Sequence, residues 1–137
     1  MIGGCVLLAA CGSDDTDDAG AVEISFNGES CEYLGPERLP TGATDFAFTN
    51  ESDIVASGVV LQITDDRTYA DVEELSRSDP EWNGDEEWSE LVSPAASVAS
   101  GNSYEWVSDL AEGSHYVVCL DGALESFFYG GGFTVEP

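Results

Sequence analysis

The chain has 137 residues, with 28 Asp and Glu against three Arg and no Lys, for a formal charge of −25. Such a surface repels nucleic acid and anionic lipid alike, which excludes polyanion binding as a function. The charge suits a high-salt habitat, where at 1 M screening shortens to ~3 Å, or an ordinary acidic envelope protein.

Met1 to Ala10, MIGGCVLLAA, is apolar but too short for the ~20 residues that span a bilayer. It ends in Leu8-Ala9-Ala10-Cys11 followed by Gly12-Ser13, which closely resembles the prokaryotic lipobox, a signal cut before a cysteine whose thiol then carries diacylglycerol. The resemblance implies a signal peptide over 1–10, a lipid anchor at Cys11 and a place on the extracytoplasmic face of the cell membrane. No Lys or Arg precedes the apolar run, so the expected start codon lies upstream of Met1. Cys5 then leaves with the signal peptide, and Cys31 and Cys119 remain; in an oxidising compartment an even remainder reads as a disulfide. Residues 11–21 are small and acidic, the composition of a disordered tether. Their cluster of Asp14, Asp15, Asp17 and Asp18 lacks the Gly-turn loop and closing Glu of an EF-hand. About 110 residues follow, enough for one core, and a single domain is expected over 22–137.

Within that domain Val22, Ile24 and Phe26 alternate with Glu23, Ser25 and Asn27, the period of a half-buried strand. Gly28 to Gly42 holds two prolines and three glycines and reads as an ordered loop stapled through Cys31. Phe46 and Phe48 predict an inward-facing strand, as do Val59, Leu61 and Ile63 after the turn around Asn50 to Asp53. Asn50-Glu51-Ser52 matches a glycosylation sequon, which carries little meaning in a prokaryotic lipoprotein.

After Thr64 the period becomes helical through Tyr69, Val72 and Leu75, and a helix is expected over Thr68 to Ser78. The following acidic loop interleaves Trp82 and Trp88 with Asp85, Glu86 and Glu87. Aromatic anchors concentrate at interfaces, so these five residues form a candidate binding surface; the same composition fits indoles that cover the helix end while the acids are solvated. A weak strand is expected around Val98, then a turn at Gly101-Asn102 and a strand placing Tyr104 and Trp106 opposite Glu105 and Val107. Ser114 to Leu120 is β-branched and aromatic between turn residues and predicts a buried central strand. Gly130, Gly131 and Gly132 read as a flexible lead into a last strand with Phe133 and Val135 inward.

The strand VEISF, the FAFTNES strand and turn, the interposed helix, and SYEWVSDLAEGSHYVVCLDG together make the chain resemble the cupredoxins, the plastocyanin and azurin family. The resemblance implies an all-β, Greek-key β-sandwich of about seven strands with one short inserted helix. It also implies a copper site of an upstream His, then Cys, His and usually Met. Of those positions the chain fills the one at Cys119: its single His is His115, its single Met is Met1, and nothing around Asn50 to Val59 supplies the upstream His. His115 and Cys119 share a strand face but lie roughly 13 Å apart at ~3.3 Å per residue, too far to chelate one ion. The expectation is therefore the fold without the metal or any other cofactor. No G-x-S-x-G elbow, H-E-x-x-H motif or P-loop is present, so no catalytic residue is assigned and no enzyme is expected. The function expected is a lipid-anchored binding or interaction module whose partner is an envelope protein or a small ligand. The rival readings are a copper-binding or electron-transfer cupredoxin and a small envelope hydrolase.

Overall fold

A computed structural model describes residues 21–79, 82, 87–122 and 126–137. The expected signal peptide, Cys11, most of the tether, and Asp85 and Glu86 of the candidate surface lie outside the described residues.

The described strands are β1 (Val22–Phe26), β2 (Cys31–Tyr33), β3 (Arg38–Pro40), β4 (Gly42–Asn50), β5 (Ala56–Ile63), β6 (Ser89–Leu91), β7 (Ser103–Leu110), β8 (Gly113–Asp121) and β9 (Phe127–Glu136), with one helix, α1 (Tyr69–Ser78), between β5 and β6. They form two sheets, ordered β3-β9-β8-β5-β6 and β2-β1-β4-β7. β8 is central in the larger sheet, as its uninterrupted apolar run requires. Nine strands are described rather than about seven. Gly28 to Gly42 is not one loop: β2 pairs antiparallel with β1, and β3 pairs parallel with β9. β6 replaces the strand expected at Val98, which makes a lone bridge to Ala56.

Between the sheets Ile24, Phe26, Phe46, Phe48, Trp106, Val117, Phe133 and Val135 form the main core. Val59, Leu61 and Ile63 are buried, but on the opposite face of β5 from this core. They pack with Val72, Trp82, Tyr116 and Val118 beneath α1, while Ala56 and Val60 take the inter-sheet side. A strand buried on both faces has no polar alternation to say which side is which. Thr68 stands at the helix N-cap and its backbone N–H donates to the Asp71 carboxylate at 2.9 Å. Val72 is the one fully buried residue of α1, an anchor of about 1.5–3 kcal/mol. A bond from Tyr129 Oη–H to the Tyr69 carbonyl at 3.0 Å adds to it.

The three glycines do not lead into the last strand; they lie inside β9, where the register with β8 shifts between Tyr129 and Gly131. Their lack of side chains is what the packing uses. A Cβ on Gly130 would lie 2.5 Å from Cys31 Sγ, and one on Gly132 would lie 2.3 Å from the Tyr69 Cβ. Bare backbone here lets β2 close on one side and α1 on the other.

Candidate functional site

Cys119 sits near the end of β8, fully buried, and is bonded to Cys31 at the start of β2 with a Cα–Cα distance of 5.7 Å. The bridge joins the two sheets across the core. On the flanking strands Cys119 is registered with Gly58 of β5 and Phe128 of β9. The Phe128 ring packs on Phe26 with centroids 5.1 Å apart. The surroundings of this sulfur are thus a disulfide partner, a glycine and aromatic carbon.

His115 lies on the same strand and faces the same core, with no exposed surface. Its ring stacks on Phe133 at 5.1 Å, and Nδ1 lies 3.1 Å from the Gly113 carbonyl. A carbonyl only accepts, so Nδ1 carries the proton and Nε2 presents a bare lone pair. That Nε2 is buried and has no hydrogen-bond partner among the described residues. Burial pushes the imidazole pKa below its ordinary value, and the Gly113 bond offsets this in part. The ring is a neutral structural group.

Beside the Cys31–Cys119 bridge a depression of about 330 Å³ opens between α1 and the starts of β2 and β9, lined by Cys31, Glu73, Arg77, Trp82, Phe128 and Tyr129 among others. Trp82 is 8% exposed and meets Tyr129 edge-on at 6.5 Å. Trp88 is half-buried on Tyr116, and the Arg67 guanidinium lies 4.6 Å over its ring. Both indoles cover apolar surface around α1, and Glu87 is exposed beside them. Arg77 is held by Glu73 at 2.7 Å and Glu74 at 3.2 Å. Burial, with the charge of Glu73 second, raises the Tyr129 phenol above its ordinary pKa. The depression therefore offers an aromatic floor and a rim of mixed charge. Its Phe127-Phe128-Tyr129 portion went unnoticed in the sequence, where three successive aromatics were the available signal.

The sequon asparagine is spent on structure. Asn50 is fully buried, its amide donates to the Ile54 and Val98 carbonyls at 2.7 and 2.9 Å, and its Oδ1 accepts from Ser52 Oγ–H at 2.6 Å. This network, which sequence reading missed, fixes the turn after β4 against the segment before β7. Among the described residues no group of three or more His, Cys, Asp or Glu is placed to hold a metal ion.

Auracyanin A, a "blue" copper protein from the green thermophilic photosynthetic bacterium Chloroflexus aurantiacus, superimposes with a TM-score of 0.52 at 14% identity, over 85% of this chain and 98% of that one. Auracyanin B gives 0.50 at 16% identity, over 89% and 94% of the two chains. The fold is cupredoxin-like. A third structure, auracyanin from the photosynthetic bacterium Roseiflexus castenholzii, covers 86% of this chain and all of its own at 21% identity, with a TM-score of 0.46. No family model and no curated protein matches the sequence.

A cupredoxin-like fold implies copper, and the residues present do not fit it. A trigonal blue-copper centre needs two imidazoles and a thiolate in bonding distance. This chain has one His, turned onto Phe133, and the Cys119 sulfur is bonded to Cys31. The positions beside that sulfur on both neighbouring strands, Gly58 and Phe128, carry no donor side chain.

Proposed function

We propose that the protein is a lipid-anchored, extracytoplasmic binding module that uses the cupredoxin-like scaffold without a redox metal and without enzymatic activity. The observation that carries this reading is the Cys31–Cys119 bridge, which commits the one metal-ligand position the chain retains. Removed from electron transfer, the domain acts through its surface. The aromatic-floored depression beside Trp82 is one place with room for a small ligand, and the loops at the sandwich ends are others. The anchor and location rest on Leu8-Ala9-Ala10-Cys11, and no described helix is long and apolar enough to cross a membrane.

The copper-carrying alternative draws on likeness of fold to the auracyanins, and fold alone does not convey a site. Titrating Cu(II) into the purified, oxidised protein separates the two. The proposal expects no intense visible copper–thiolate absorption; an intense blue species with one copper per chain would overturn it and the disulfide together.

A further inference from the structure

The two sheets have four edges, at β3, β6, β2 and β7. Three of these strands are three residues long, whereas β7 has eight. An edge presents unpaired N–H and C=O groups to any other extended chain, and short edge strands are a common protection. β7 lacks that protection. It also displays Val107, 61% exposed and the most exposed large apolar side chain among the described residues. Val107 points outward, because Trp106, Ser108 and Leu110 fill the inner face.

Chemistry on this outer face selects the occupant. Glu105 and Asp109 flank Val107 on the same side of β7, and Asp45 stands across from it on β4. A depression of about 470 Å³ opens there, lined by Ala21, Asp45, Phe46, Glu105, Trp106 and Val107. α1 packs on β8 and β9 of the other sheet, so no described helix covers this face. The chain's three arginines are engaged elsewhere, Arg38 with Glu136, Arg67 with Asp65, and Arg77 with Glu73 and Glu74. Asp45, Glu105 and Asp109 thus have no cationic partner among the described residues. A second copy of β7 is a poor occupant: antiparallel pairing centred on Val107 would set Glu105 opposite Asp109, and like charges facing across strands destabilise the pair. The overall charge of −25 repels another copy and attracts a basic protein.

We propose that β7 is a docking edge for an extended basic segment of a partner protein, which adds a fifth strand to the four-stranded sheet. Its outward side chains follow a basic, apolar, basic pattern at every second residue, opposite Asp109, Val107 and Glu105. Main-chain bonds supply adhesion and the alternating side chains supply selectivity. The inference rests on the reading as an interaction module, which the copper titration tests separately.

The test adds a short synthetic peptide with the core Lys-Thr-Val-Thr-Lys to the full chain at low salt, reading affinity together with amide hydrogen exchange. Exchange is expected to slow across Ser103–Leu110. The double reversal Glu105→Lys/Asp109→Lys is expected to weaken binding at least roughly tenfold, through two lost cross-strand pairs. Asp66→Lys/Glu90→Lys, equal in charge but on and beside the far sheet, is expected to change it less than about threefold. Unchanged melting temperatures confirm that these exposed substitutions leave the fold intact. Equal losses in both variants, absence of peptide binding, protection at another edge, or a dimer dissolved by Val107→Lys would each overturn the proposal.

Discussion

Breaking the Cys31–Cys119 bond without changing any other atom is the most direct test of how the two sheets are held. The bonded residues are 88 apart in sequence, so the cross-link removes a large loop's freedom from the unfolded chain. The chain-entropy relation gives about 4.6 kcal/mol at 25 °C for a loop of that length. An unfolding entropy of about 2.1 cal/mol/K per residue, over ~115 folded residues, converts this to a melting point lower by about 19 °C. Urea unfolding of the oxidised and the fully reduced protein measures the effect. The reduced form should also show a larger m-value, because its unfolded chain is no longer held compact by the bridge. The double variant Cys31→Ala/Cys119→Ala should lose at least as much, since it also empties space beside Gly130 and Phe128. Oxidised and reduced forms differing by less than about 1.5 kcal/mol, with equal m-values, would refute the reasoning.

His115 has a folded-state pKa below its unfolded value, so its contribution is fully present above about pH 6.5 and is lost as pH falls through that value toward the folded pKa. Stability from urea unfolding should decline in this window by up to about 1.4 kcal/mol per pH unit, and His115→Gln should flatten that segment; an unchanged slope in the variant would assign the decline to carboxylates. With 28 acids against three arginines, the melting temperature should climb as salt rises toward 1 M, where screening acts within ~3 Å, and a flat profile would argue against a high-salt adaptation. The full-length protein should partition into detergent and Cys11→Ala should remain in the aqueous phase, with identical partitioning removing the basis for the anchor.

The sequence by itself determined what depends on local period and on counting. Val22 to Phe26 and Phe46 to Phe48 have one face wetter and one face dry, so alternation alone assigns their sides. Helix α1 was legible from Tyr69, Val72 and Leu75 with Thr68 ahead of them, and the disulfide from the parity of the cysteines that follow Cys11. The tertiary structure decided whatever depends on what lies on the far side of an element. Val59, Leu61 and Ile63 meet the helix rather than the opposing sheet because β5 is covered on both faces. Gly130 and Gly132 are spacers for Cys31 and Tyr69, segments distant in the chain that only folding brings within van der Waals reach. The long edge at β7 was invisible for the same reason: a strand's pattern records its own two faces, while its place at the rim of a sheet is set by which other strands pair with it.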